Sequence, residues 1–212
     1  MKVVYEQSKF RLNWDILILC LTFLSLIAVP FQLAFINKPT FLGSIWVYTI
    51  DVFFILNIFF NSRTTYSQAG EEIVQPTSIL RHYKNKSLFY DILAAVPFDL
   101  FFLVFADFPV YGISVVLWLR LLRLVRFREL FVIFKRWQSV YSINPGIIRI
   151  SKFFSIIVLL AHLISCAWFA SSLILNFPAG SWVIRENLIS AEVSTKYIRS
   201  LYWTITTMTT VG

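Results

Sequence analysis

Charge is scarce in this 212-residue sequence. Asp, Glu, Lys and Arg make up 14% of it while hydrophobic residues make up 58% and aromatics 18%, against roughly 25% charged residues in a soluble domain. So little polar surface excludes an ordinary water-soluble fold. Cysteine is nearly absent: Cys20 and Cys166 lie inside apolar segments with no metal-type spacing. No disulfide framework or redox compartment follows, and both read as small buried side chains. No nucleophile constellation is visible, which argues against an enzyme, and no internal repeat of the transporter kind occurs.

Long apolar runs fill the space. Several windows hold 18 or more residues with almost no charge, enough to cross a ~30 Å hydrocarbon layer at 1.5 Å per residue. Five spans are expected, approximately Trp14 to Ile36, Gly43 to Phe60, Leu88 to Phe108, Ile113 to Phe134 and Ile147 to Leu175, followed by a half-span from Thr195 to Met208. Pro30 and Pro97 interrupt two of them, which transmembrane helices tolerate. The first run is too long for a secretory signal and is flanked by Glu6 and Asp15, so it is expected to be retained.

Lysines and arginines outnumber acids by 19 to 11 and fall on alternate loops. Lys2, Lys9 and Arg11 precede the first span, Arg63, Arg81, Lys84 and Lys86 follow the second, and Lys135, Arg136, Arg149 and Lys152 surround the junction of the fourth and fifth. The positive-inside rule then puts the amino terminus in the cytoplasm. The net charge of +8 is distributed by topology and needs no nucleic-acid partner. Asn85-Lys86-Ser87 matches a glycosylation acceptor but falls on the inner side, a chance match.

Two motifs carry chemistry. Arg120, Arg123 and Arg126 recur every third residue among apolar neighbours, and Arg128 follows. That spacing winds slowly on an α-helix and becomes a straight row if the segment tightens to 3₁₀. A charge near the bilayer centre costs at least ~2.5 to 3.5 kcal/mol, so partners are expected, with Asp51, Asp91 and Asp99 as candidates. The row reads either as a helix end whose arginines snorkel to phosphates or as a voltage sensor. Arg126 and Arg128, nearest the inner edge, fit both. The second motif is Thr210-Val211-Gly212, which begins loops whose carbonyls replace the water around a potassium ion. Alone the tripeptide also ends strands by chance. Here it follows a short amphiphilic helix carrying Tyr202, Trp203, Thr206, Thr207 and Thr209. A re-entrant pore helix fits that setting.

Together the motifs resemble the membrane part of the cyclic-nucleotide-gated, hyperpolarisation-activated and ether-à-go-go channel superfamily, most closely its prokaryotic cyclic-nucleotide-gated potassium channels. The resemblance rests on Asp51 to Asn57 with Asn61 to Thr65, on Tyr90 to Asp99, on the arginine row, on Ala161 to Phe169, and on Tyr202 to Gly212. It implies an all-α membrane protein, a six-transmembrane, voltage-gated-like channel subunit. Residues 1–13 would be a cytoplasmic segment, 14–134 a four-helix voltage-sensor-like domain, 135–146 a short cytoplasmic linker, and 147–212 an incomplete pore domain of fifth span, pore helix and start of the filter. A homotetramer in a plasma or bacterial inner membrane would conduct K⁺ through Thr210, Val211 and Gly212. No cofactor is implied. A sixth, gate-forming span and a domain binding the regulatory cyclic nucleotide are expected beyond residue 212. One departure stands out. Family members commonly carry an acid three residues after an aromatic in the second span, whereas here Phe54 is followed by the amide Asn57. That weakens the expected voltage dependence and favours ligand control. His162, Trp168 and Phe169 read as packing residues, and the hydroxyls of Thr206, Thr207 and Thr209 as bonded to their own helical turn.

Overall fold

The computed structural model describes residues 3–36, 41–68, 71–98, 119–140 and 144–211. Helix α1 (Lys9–Phe35) begins five residues before the expected first span and continues through Pro30. Helix α2 (Phe41–Asn61) contains the expected second span. The segment after it, read as a plain loop, holds a two-stranded antiparallel hairpin, β1 (Tyr66–Gln68) and β2 (Glu71–Ile73). A parallel bridge from Val4 to Thr64 brings the amino-terminal segment against the start of that loop. Period-three and period-four counting cannot find strands of three residues whose order comes from backbone pairing.

Helix α3 (Pro76–Tyr83) starts on a proline, whose missing N–H would have been unpaired at a helix start in any case. It passes through a π-helical turn (Lys84–Leu88) into α4 (Phe89–Ala95). Pro97 does not sit inside a continuous helix as expected. Val96, the residue before it, turns to an extended conformation with ψ of 124° and α4 stops at Ala95, because the proline ring crowds a preceding residue out of the helical region. The remainder of the third expected span and the start of the fourth, with Asp99, lie outside the described residues, as does Gly212.

Next come a 3₁₀ helix (Leu119–Arg126) and α5 (Phe127–Val140), so the residues read as a linker from Lys135 begin as helix. Helix α6 (Pro145–Ile174) follows, then the short α7 (Trp182–Arg185) and α8 (Val193–Met208). Among the described residues, α1 and α6 are long and apolar enough to cross a membrane. Their outward faces agree: Leu24, Ile150, Phe153 and Phe154 are exposed while Arg11 and Asp15 of α1 are buried. Such an inverted distribution suits a hydrocarbon solvent.

The chain divides into two compact units, residues 1–26 with 42–148, and residues 27–41 with 149–212. In the first, Ile18, Ile50, Phe54, Ala95 and Ile133 form the core, with Trp14, Trp46 and Trp137 packed against it. At one end of that core Asp15 accepts two bonds from Arg136 Nη1, at 2.6 and 2.8 Å, and pairs with Arg11 one helical turn away at 2.8 Å. Arg11 is fully buried and also donates to Asn61 and Thr64. In the second unit Phe35 stacks on Phe169, and Trp168 lies flat against Trp203 with centroids 3.9 Å apart.

Because Asp15 holds two guanidiniums out of water, Asp15→Ala is expected to destabilise the first unit by about 3 to 5 kcal/mol. Glu71→Gln on the exposed hairpin should change stability by under ~0.5 kcal/mol. Unfolding of both variants by denaturant in micelles, followed by tryptophan fluorescence, checks the contrast.

Candidate functional site

Arg120, Arg123 and Arg126 are 3%, 3% and 1% exposed. The 3₁₀ segment that carries them eclipses residues three apart, so the row is straight, the tighter of the two geometries that the spacing permits. Facing it on α2 is a second series at the same spacing, Tyr48, Asp51, Phe54 and Asn57. The Arg120 guanidinium donates to the Tyr48 hydroxyl at 3.4 Å. Arg123 grips Asp51 in two-pronged fashion, Nε on Oδ1 at 3.1 Å and Nη2 on Oδ2 at 2.7 Å. Arg126 closes on the other side of the same carboxylate. It also donates to the Ala94 carbonyl at 3.1 Å and to Ser25 Oγ at 2.8 Å, and lies over the Phe54 ring at 4.0 Å. One carboxylate thus serves two guanidiniums. Among the described residues Arg126 also meets neutral acceptors and a ring face, both of which suit a buried cation.

Arg128, less buried, turns to the other expected acid. Its Nη1 is 3.0 Å from Asp91, and its Nη2 donates to Ser87 Oγ at 2.6 Å and to the Lys86 carbonyl at 3.3 Å. The π turn explains that carbonyl's position, since a π turn departs from the i→i+4 ladder and re-aims its backbone groups. Asp91 accepts a 2.7 Å bond from the Tyr83 hydroxyl, whose pKa is pushed up by burial and then by the Asp91 charge, so it stays a donor. Of the three expected acids, Asp51 and Asp91 meet arginines and Asp99 lies outside the described residues.

Asn57 accepts from Trp14 Nε1 at 3.0 Å and donates to Glu129 Oε1 at 2.7 Å. Glu129 is 5% exposed and was missed in the sequence. Its signal was there: 120, 123, 126 and 129 share one spacing, so the acid is the fourth member of the row. An amide at position 57 suits this neighbour, because two carboxylates in contact would repel while an N–H donor bonds.

In the second unit, α8 ends where the Thr-Val-Gly motif starts. The N–H of Val211 bonds the Thr206 carbonyl at 2.9 Å and the N–H of Thr210 bonds that of Thr207 at 3.2 Å, the paired closure of a Schellman cap. Thr210 occupies the left-handed position with φ of 57°. Glycine or asparagine is usual there, and a β-branched residue is strained. The hydroxyls of Thr206 and Thr207 bond the Trp203 carbonyl, and that of Thr209 bonds Ile205. Tyr202 and Val211 are exposed, and Trp203 stacks on Trp168. His162 reaches the Ile27 carbonyl through Nε2 at 2.8 Å and Tyr197 Oη through Nδ1 at 2.9 Å. A carbonyl only accepts, so Nε2 carries the proton and the Tyr197 hydroxyl donates to Nδ1.

Residues 11–212 match the model of the family described as ion transport protein. Among curated proteins, the cyclic nucleotide-gated channel alpha-3 of Homo sapiens is 32% identical over 78% of this chain and 23% of its own length. A voltage-gated inwardly rectifying potassium channel of Canis lupus familiaris is 29% identical over 99% of this chain and 20% of its own. The cyclic nucleotide-gated channel rod photoreceptor subunit alpha of Gallus gallus is 31% identical over 78% and 25%. The chain therefore spans a quarter or less of the length of these relatives.

Replacing Asp51 by Asn should strand two buried guanidiniums and cost about 3 to 5 kcal/mol, partly restored by adding Arg123→Gln. Thermal unfolding of the two variants in lipid nanodiscs measures this. Thr210→Gly should raise stability by about 1 kcal/mol by relieving the left-handed strain, read in the same assay.

Proposed function

The chain belongs to the ion transport protein family, in the superfamily of cyclic-nucleotide-gated and ether-à-go-go channels, and we propose that it is a pore-forming subunit of a tetrameric, potassium-selective cation channel. The observation that carries the proposal is the buried arginine row, gathered in part on Asp51, within a unit whose outward faces are apolar. Side chains that expensive to bury belong to a device that uses their charge. Moving one of them through 100 mV is worth ~2.3 kcal/mol, so even partial transit biases a gate.

Conduction falls to Thr210, Val211 and Gly212. Helix α8 is 16 residues long, about 24 Å, too short to cross the membrane. The backbone that leaves it can lie at membrane depth only where it is buried in protein or lines a watery path. Four copies around an axis meet that condition, with carbonyls turned to the ion, and one copy does not. The amino terminus is cytoplasmic on the charge argument, and the chain crosses the membrane several times. Cyclic nucleotide, named in two of the relatives, is the gating ligand we assign, acting through a segment outside residues 1–212.

Glu129 supports control by ligand over control by voltage. It sits in phase with the arginines, so any displacement of the row carries a negative charge along with the positive ones and lowers the net charge moved.

The full-length channel in planar bilayers tests both parts. Gly212→Ala should abolish preference for K⁺ over Na⁺ while the protein still inserts and assembles, and unchanged selectivity would rule out this segment as the filter. Glu129→Gln should steepen the dependence of conductance on voltage by up to one charge per subunit, whereas an unaltered slope would remove Glu129 from the moving element.

A further inference from the structure

The first unit contains a half-open cavity of about 760 Å³, within the range of ligand pockets. Its acids are already engaged. Asp91 holds Arg128, Glu129 accepts from Asn57, and Glu6 faces Arg136 at 3.6 Å. Its remaining cations are not. Lys86 from the π turn and Lys135 from α5 line the cavity, and neither has an ion-pair partner among the described residues. His82 lines the cavity with them, stacked on Tyr66 of the hairpin with centroids 3.9 Å apart. Both lysines lie close enough to His82 to push its pKa down, after the larger effect of its burial. The end of α3, the π turn that follows it and the distant α5 therefore bring two uncommitted ammonium groups and an imidazole to one concave surface. Nothing in the arginine row or the pore segment uses them.

We propose that this cavity is a binding site for a phosphomonoester, held between Lys86 and Lys135 with His82 as third donor. The charge matches: a phosphomonoester carries about −1.5 to −2 at neutral pH and presents three strong acceptor oxygens, where a lone carboxylate would leave one lysine unanswered. The Tyr66–His82 stack offers a flat wall to whatever the phosphate is attached to. The same chemistry is found in the headgroup of an anionic lipid and in a free organic phosphate.

The test uses the full-length protein in phosphatidylcholine nanodiscs, with the melting temperature followed by tryptophan fluorescence. One arm adds glycerol 3-phosphate, and the other replaces a fifth of the lipid by phosphatidic acid. Stabilisation that grows with concentration in the first arm identifies a free phosphate ligand, and stabilisation confined to the second identifies a lipid headgroup. In either case the double variant Lys86→Gln, Lys135→Gln should weaken the effect roughly tenfold or more. Its own melting temperature should stay near the wild-type value, since neither lysine is paired within the fold. No stabilisation in either arm would overturn the proposal, as would equal stabilisation of wild type and double variant. Neither result bears on the filter, which the selectivity measurement addresses separately.

Discussion

A buried cation must find its counter-charge inside the protein, and that requirement organises the first unit. Asp51 is the pivot. It takes a two-pronged grip from Arg123 and a second guanidinium from Arg126, which also meets neutral groups: Ser25, the Ala94 carbonyl, the face of Phe54. Each comes from a different stretch of chain. The arginines therefore do more than occupy a helix face, because they determine which faces of α1, α2 and α4 can turn inward.

Beyond Asp51 the logic repeats with different partners. Asp15 sits between Arg11 and Arg136 as Asp51 sits between Arg123 and Arg126. Asp91 takes Arg128. Glu129 then lies beside Asn57, where an acid would have met another acid. The amide at position 57 and the acid at position 129 make physical sense as a pair: the negative charge of this level sits on the element that follows the arginines.

Much of this was legible in the residues. The apolar runs located α1, α2 and α6, because helix length and hydropathy are properties of a local window. The every-third arginines allowed either a winding stripe or a straight row, and the 3₁₀ segment supplied the second. What escaped has a common cause, in that it depends on groups far apart in sequence. Glu129 was hidden among the charges at the end of a span, although its spacing continued the row. The Asp15 cluster draws on residues 121 positions apart. The hairpin at Tyr66–Ile73 is too short for any periodicity to show. Pro97 was misjudged because tolerance of proline depends on what the surroundings can bond, which sequence does not specify, and the helix broke there while it continued through Pro30.

Pro30 also marks where an engineer would have to cut. Lacking an N–H, it cannot complete the backbone ladder of α1, and a ring crowds the turn before it. In that turn lies the Ile27 carbonyl that His162 of α6 holds. Residues 27–41 group with 149–212, although they continue a helix whose first half groups with the other unit. A chimera that exchanged the whole of α1 would make the His162 bond depend on how a foreign helix seats its backbone carbonyl at this level. The junction that keeps both modules whole falls inside a helix, near residues 26 and 27, where a gene designer reading loops as natural seams would not look.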